Sequence, residues 1–284
     1  MNDILKPSII DSHIHIWRLN DKFKIWTREK IGALHRDFSI EDFKEQNQPH
    51  NVKGVLLVQA VTDTLETIQL LEKYEESSFV KGVIGWLDLA DKKIEIKISQ
   101  LKQWDKFSGV RAHPPRHFDT KWLLSDQVIF GMKALAERKI PIDYLMNTTQ
   151  LNEFLSVFDK VPDVTAVLNH GGRPFVMTGD TSNWERDIRT LARETNCYCK
   201  ISGLVERAGV EWDKETLKPW IAILIDAFGP ERLLYASNWP IMTLMATPRI
   251  WIETLNEIFQ DFGLDWSSRE QIFSQTSQKI YQYS

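Results

Sequence analysis

Short apolar runs alternate with segments of helical periodicity along most of this chain. Eight runs rich in apolar and β-branched residues have the length of strands, and apolar positions recur every three or four residues between most of them. We predict strands at 9–17, 54–60, 82–89, 109–112, 141–146, 165–169, 197–202 and 233–237. We predict helices at 64–76, 93–104, 126–138, 150–158, 183–194, 217–228, 248–262 and 268–281.

This alternation predicts the fold class. Strands separated by helices pair in parallel through right-handed crossovers, and eight such units in 284 residues indicate an α/β protein with a closed (β/α)8 TIM barrel. We expect a single domain over residues 1–284. An open doubly wound sheet is the alternative, but the turn after the first strand lacks a glycine-rich phosphate-binding pattern.

One connection is much longer than the others. An insertion at about residues 18–52 follows the carboxyl end of the first strand and carries Phe23, Trp26, Phe38 and Phe43. Loops of this length in a compact domain are usually functional or mobile. Two alternatives stay open, namely an additional helix packed on the side of the barrel and a lid over its mouth.

The charge balance narrows the possible partners. The 35 Lys and Arg residues face 39 Asp and Glu residues, which gives a net charge of −4 and argues against nucleic acid or an anionic membrane as partner. No long apolar segment and no signal-peptide pattern stand out, so we expect a soluble, cytoplasmic protein acting on a small molecule. Cys197 and Cys199 fit buried free thiols. A homo-oligomer is left open, because the sequence does not fix the oligomeric state.

The first strand ends with two histidines, His13 and His15, in positions i and i+2. Strand alternation places both side chains on one face. Each neutral imidazole offers one nitrogen acceptor and one N–H donor, so the pair can hold a metal or polarise a carbonyl. One of them could equally be a hydrogen-bonded core residue.

Polar residues stand at the ends of the other predicted strands. In a TIM barrel these carboxyl ends meet at one face, where catalytic groups collect, and polar side chains are costly to bury without partners. The clustering therefore predicts a site at that face. Its candidate members are Gln59, Asp88, Arg111, His113, Tyr144, Asn147, Asn169, His170, Arg173, Lys200, Ser202, Ser237 and Asn238.

Six sequence blocks carry a family resemblance. They are the Asp-x-His-x-His-x-Trp motif at 11–17 and the segments 82–89, 109–111, 167–174, 199–204 and 236–240. Together, and in this order, they resemble the amidohydrolase-related (amidohydrolase 2) TIM-barrel hydrolases. Within that family the chain is most similar to the sugar lactonase (fuconolactonase) and 2-pyrone-4,6-dicarboxylate lactonase branch. The resemblance implies hydrolysis of a lactone, a cyclic ester.

The resemblance also implies roles for individual residues. His13, His15 and His170 would meet the lactone carbonyl directly or through one divalent metal, and three histidines with an open position suit Zn²⁺. Lactonases that the chain resembles have such an arrangement either with or without a bound metal. The alternative is therefore that the enzyme requires no cofactor. Independently of the resemblance, strand-end position and charge predict the substrate-binding residues, with the cationic ones suited to a carboxylate, although Arg and Lys near strand ends could equally pair with local Asp or Glu. These residues are Arg111, Lys200, Tyr144, Gln59 and Arg173.

Asn238 departs from the family pattern. Relatives have an aspartate before the last Trp-Pro pair, where it acts as general base and as metal ligand when metal is bound. An amide supplies neither function well, and a general base contributes on the order of 10²- to 10⁴-fold. Asp88 is a candidate replacement, although it could equally cap a helix. A metal-dependent decarboxylase of the same family and a weakened enzyme that only binds sugars or carboxylates are the alternative functions.

Overall fold

Eight parallel strands form one sheet in chain order in the computed structural model, which describes residues 7–19, 32–48, 50–114 and 120–283. Each strand pairs in parallel with the next, so the predicted barrel is confirmed. The strands are β1 (Ile9–Ile14), β2 (Val52–Val58), β3 (Val80–Gly85), β4 (Phe107–Ala112), β5 (Ile142–Tyr144), β6 (Ala166–Leu168), β7 (Tyr198–Ile201) and β8 (Leu233–Tyr235).

The chain just beyond β1 and β8 closes the barrel. The His15 amide donates to the carbonyl of Trp239 at 2.7 Å, and the Asn238 amide donates to the carbonyl of His13 at 3.0 Å. The buried Asp11 carboxylate adds a third link, because its Oδ1 accepts from the Ser237 amide at 2.9 Å. These bonds bring the histidines of the first strand beside the residues that follow the last strand.

The helices match the predicted periodic segments closely. The short helix α1 lies in the insertion, for which an additional helix was one alternative, whereas the short helices α4 and α8 were not predicted. The last predicted helix is interrupted by a π-helical turn at Gln271–Gln275. None of the helices in the described ranges combines the length and the apolarity that a membrane crossing requires. The helices are α1 (Ile40–Gln46), α2 (Thr64–Tyr74), α3 (Ile94–Leu101), α4 (Thr120–Leu123), α5 (Asp126–Glu137), α6 (Leu151–Lys160), α7 (Ser182–Glu194), α8 (Val205–Ala208), α9 (Lys214–Phe228), α10 (Pro248–Asp261), α11 (Trp266–Glu270) and α12 (Thr276–Tyr281).

The described part of the insertion packs beside the seam between β1 and β8. Phe38 and Phe43 lie edge-on against Trp239, with ring centroids 5.3 and 5.5 Å apart. The Trp239 indole donates to Gln46 at 2.9 Å, which ties the end of α1 to the same place. For this part the side-packed helix describes the structure, whereas Phe23 and Trp26 lie outside the described residues.

An ion pair lies inside the barrel. Lys200 on β7 and Asp143 on β5 are fully buried, with 2.5 Å between Nζ and Oδ2. The hydroxyl of Tyr281 on α12 donates to Asp143 Oδ1 at 2.6 Å. Burial lowers the pKa of Lys200, and the neighbouring Asp143 opposes that shift. The pair therefore keeps two charges in the interior only as long as both partners are present.

We predict that Asp143→Leu destabilises the fold by about 3–5 kcal/mol, because it leaves the Lys200 ammonium buried without a counter-charge. Urea unfolding followed by circular dichroism measures the loss. The double variant Asp143→Leu/Lys200→Met is the control and should recover part of the stability, since it removes both charges. A single variant as stable as the wild type would contradict the prediction.

Candidate active site

A cavity of about 440 Å³ opens at the carboxyl ends of the strands. Seven of the candidate residues named from the sequence line it, at the end of the barrel where strand polarity places a site. Loop residues after β2, β5 and β8 complete the wall. The lining residues are His15, Gln59, Ala60, Val61, Thr62, Arg111, His113, Leu145, His170, Arg173, Asn238 and Ile241.

The three predicted histidines lie together. The Nε2 atoms of His13 and His15 are 3.2 Å apart, and the ring centroids of His13 and His170 are 4.7 Å apart. His15 and His170 line the cavity, whereas His13 is fully buried behind them. The two strand ends, β1 and β6, therefore bring one histidine cluster to the mouth of the barrel.

The hydrogen bonds fix the tautomers of the first two histidines. His15 Nδ1 lies 2.8 Å from the Val58 carbonyl, which can only accept, so Nδ1 carries the proton. In the neutral ring Nε2 is then an acceptor, and His13 Nε2 must donate to it. His13 Nδ1 is left as a buried acceptor for which the described residues offer no donor.

Burial keeps all three rings neutral near pH 7. It lowers the pKa of His15 to about 3, with the positive charge of Arg111 adding to the shift. Burial also lowers the pKa of His13 and of His170 well below the ordinary value. Each neutral imidazole offers one donor and one acceptor nitrogen to the groups around it.

The loop after β6 holds His170 in a tight backbone turn. His170 and Arg173 have φ values of 58° and 54°, and the two glycines between them are also in the left-handed region. His170 Nδ1 lies 2.8 Å from the hydroxyl of Ser202, which follows β7. A Cβ atom on Gly203 would lie 2.7 Å from the His170 Cβ, so only glycine leaves room for this ring.

Positive charge dominates the described wall of the cavity. The Arg111 side chain is buried, its Nη1 reaches the Gln59 carbonyl only at 3.4 Å, and its Nε has no partner among the described residues. Burial lowers the pKa of Arg111 to about 10, so the guanidinium stays charged at neutral pH. Arg173 also lines the cavity. The arrangement suits an anionic group or a developing oxyanion.

A buried carboxylate shapes the loop that follows β2. Glu66, in the first turn of α2, accepts from the amides of Ala60 and Val61 at 2.9 to 3.1 Å. Burial raises the pKa of Glu66 to about 7, although these amides and the charge of Arg111 oppose the shift. Glu66 thus fixes cavity-lining backbone without touching the cavity itself.

Asn238 lines the cavity and is held by a second carboxylate. Its Nδ2 donates to Glu206 Oε1 at 2.7 Å, across from β8 to α8. Glu206 Oε2 is buried and has no partner among the described residues. Burial raises the pKa of Glu206 to about 7. The end of β8 therefore presents an amide to the cavity, with a carboxylate behind it.

The histidine cluster does not fit a firmly held metal. No group of three or more His, Cys, Asp or Glu side chains within the described ranges is arranged to hold an ion. Metal-bound histidines normally donate their second N–H to an acceptor. His15 meets this condition through Val58, but His13 would have to move its proton to Nδ1, which faces no acceptor.

Two residues predicted to bind substrate do not reach the cavity. Tyr144 is fully buried against Phe154 and Met132 in the helical layer, because its neighbour Asp143 takes the inward position on β5. Lys200 does point inward, but it lies in the barrel interior and is bound to Asp143. The sequence places both at strand ends without revealing their depth or, for Tyr144, its side of the sheet.

Sequence reasoning missed Glu66 and Glu206. Both stand on helices after the strands, and only the packing of the loops brings them behind the cavity wall. Asp88, proposed as a substitute base, accepts from the Ala90 amide at 3.0 Å and is not among the cavity-lining residues. Arg116 and His117, in the loop after β4, lie outside the described residues. For Asp143 the sequence offered one indication of a buried, paired carboxylate, because an aspartate stands in the middle of an apolar strand.

A TIM barrel with a histidine pair on the first strand and a third histidine after the sixth defines a class of hydrolase-like site. The amidohydrolase family model matches residues 10–282, so the chain belongs to the amidohydrolase family, as predicted.

Curated relatives and solved structures resemble the chain over most of its length. It is 28% identical to an L-fucono-1,5-lactonase of Burkholderia ambifaria over 83% of this chain and 81% of the relative. It is also 28% identical to an L-rhamnono-gamma-lactonase of Scheffersomyces stipitis, over 97% and 99%. The crystal structure of a zinc-bound amidohydrolase from Burkholderia multivorans superposes with a TM-score of 0.90 at 25% identity, over 97% and 99%.

We predict that His15 makes the stability of the fold depend on pH. Its folded-state pKa of about 3 lies below the ordinary value of 6.5. Between pH 6.5 and 3, His15 therefore binds a proton in the unfolded chain but stays neutral in the folded chain. Stability from His15 is complete above pH 6.5 and is lost as the pH falls, by up to about 1.4 kcal/mol per pH unit.

Urea unfolding of wild type and His15→Asn at pH 7.5 and 5.5 tests this expectation. The wild type should lose stability relative to the variant at the lower pH, while His35→Asn, at an exposed histidine, should show no such change. A difference between wild type and His15→Asn that does not depend on pH would contradict it. Asp11, whose pKa is raised to about 6, changes the stability with pH in the opposite sense to His15. Taking the difference between wild type and variant at each pH cancels this contribution, because both proteins contain Asp11.

Proposed function

We propose that the chain hydrolyses the lactone of a sugar acid or of a related carboxylic acid. The observation that carries the proposal is the convergence of neutral His15 and His170 with charged Arg111 on one cavity of about 440 Å³. This volume suits a single sugar-sized ring. The two relatives that carry the names of aldonolactonases support the same chemistry.

The reaction needs a group that stabilises the carbonyl oxygen and a group that moves a proton. Water adds to the carbonyl carbon, the ring C–O bond breaks, and the proton lost by water ends on the ring oxygen. Arg111, whose charged guanidinium lines the cavity, is suited to the negative charge that develops on the carbonyl oxygen. The His170 nitrogen that does not face Ser202 is suited to carry the proton from water to the ring oxygen.

The charged wall also bears on substrate choice. Arg111 and Arg173 give the cavity two guanidinium groups, which hold carboxylates through paired hydrogen bonds. Gln59 adds an uncharged amide for a hydroxyl or carbonyl group. We therefore include lactones with and without a free carboxylate among the proposed substrates.

The proposed mechanism does not use a resident metal. A related amidohydrolase structure contains zinc. In this chain the tautomers of His13 and His15 and the hydrogen bond from Asn238 to Glu206 leave no complete set of ligands for an ion within the described part of the chain. The same reasoning disfavours the metal-dependent decarboxylase, because that reaction needs a firmly bound ion.

We predict that the purified protein releases acid from at least one member of a lactone panel. The panel holds aldono-1,5-lactones, aldono-1,4-lactones and lactones that bear a carboxylate, and a pH indicator follows opening of the ring. His170→Gln should lower kcat by about 10²-fold or more if this ring moves the proton. Thermal stabilisation by the lactones without any acid release would point instead to a binding protein.

We predict that lactone hydrolysis survives removal of divalent metals. Dialysis against a chelator should leave kcat within about twofold of the untreated enzyme, since Arg111 rather than an ion would polarise the carbonyl. Elemental analysis of the dialysed protein provides the control for metal content. Loss of activity that returns on addition of Zn²⁺, but not of Mg²⁺, would contradict the metal-free mechanism.

A further inference from the structure

We propose that Glu206 is a positioning residue of this site, which orients the carboxamide of Asn238 so that its oxygen faces the reacting water. The inference rests on the proposed lactone hydrolysis and adds to it the role of a residue outside the family motifs. It also gives Asn238 a function that does not require a base at this position.

The backbone of Asn238 is already fixed from both sides. Its amide donates to the His13 carbonyl at 3.0 Å, and its own carbonyl accepts from the Met242 amide at 3.2 Å. The residue adopts φ 63°, in the left-handed region that asparagine tolerates better than most residues. Only the side-chain torsions remain to decide which end of the amide faces the cavity.

Glu206 makes that choice. The one-turn helix α8 follows β7 and places Glu206 Oε1 2.7 Å from the side-chain nitrogen of Asn238. The structure sets the NH₂ group of Asn238 against Oε1, which accepts from it both in an ionised carboxylate and in a carboxylic acid that holds its proton on Oε2. The remaining acceptor, Oδ1, is therefore left for the cavity, whose described wall carries the guanidinium groups of Arg111 and Arg173.

This arrangement explains why an amide can replace a carboxylate at position 238. An aspartate there would put two carboxylates within hydrogen-bond distance, and such pairs share one proton instead of both ionising. Asn238 and Glu206 together hold a single carboxylate at the end of β8. The amide oxygen can accept a hydrogen bond from water and so aim a water lone pair at the carbonyl carbon.

Positioning fits Glu206 better than direct proton transfer does. Glu206 is not among the residues that line the cavity, and its Oε2 is buried. A general base must come within hydrogen-bond reach of the proton that it removes. Glu206 reaches the cavity only through Asn238.

The test compares variants that separate holding an amide from accepting a proton. Glu206→Gln still offers a carbonyl oxygen to Asn238, so we expect its kcat to lie within about threefold of the wild-type value. Glu206→Met has a side chain of similar length but offers no acceptor. We expect it to lower kcat by about tenfold or more and to change KM less than twofold. Glu211→Ala, at an exposed glutamate beyond α8, is the matched control and should change nothing.

A double-variant cycle tests whether Glu206 acts through Asn238. In the Asn238→Ala background, Glu206→Met should cause no further loss of kcat, because the amide that it orients is gone. Full additivity of the two losses would overturn the proposal. So would a Glu206→Gln variant as slow as Glu206→Met, since that result identifies a base, and so would a fully active Glu206→Met.

The contact can be measured without turnover. The side-chain ¹⁵N and ¹H resonances of Asn238 should move in Glu206→Met and stay in place in Glu211→Ala. Wild-type protein that opens no lactone refutes the proposed function, while unchanged Asn238 resonances in Glu206→Met refute this inference independently. The spectra can also be recorded at a lower temperature, at which a variant too unstable for kinetic measurements stays folded.

Discussion

The seam between the first and last strands is the constraint on which the rest of the structure depends. Asp11 lies at this seam, where one buried carboxylate oxygen accepts from the amides of His13 and Ser237 at 3.2 and 2.9 Å. The same seam carries the backbone bonds that join His13 to Asn238. Without this closure the histidine pair of β1 and the residues after β8 would face different surroundings, and no shared cavity would exist.

Buried charge is handled in two different ways in this barrel. In the interior, Asp143 and Lys200 satisfy each other, and Tyr281 takes the remaining carboxylate oxygen. At the mouth, Arg111 and Glu206 each keep an atom without a partner among the described residues. A buried polar atom without a hydrogen-bond partner lowers the stability of the fold. That Arg111 and Glu206 both stand at one cavity supports the assignment of a functional site there.

Strand alternation and strand polarity predicted most of what the structure contains. They gave eight strands in order, and they placed His13 and His15 on one face because the pleat has a period of two. The same rule, applied to β5 with the wrong starting residue, chose Tyr144 over Asp143. Glu66 and Glu206 were beyond reach for a different reason. Both lie on helices, and their positions follow from the packing of loops on the barrel, which no local periodicity encodes.

The contact between Gly203 and His170 ties two loops into one unit. The ring of His170 occupies the space where any other residue at 203 would carry its side chain. The loop after β6 therefore cannot be diversified independently of the loop after β7, although more than thirty residues separate them. Directed evolution of substrate range would do best to hold 170–173 and 202–203 constant as a block and to vary Thr62 and Leu145, which also line the cavity.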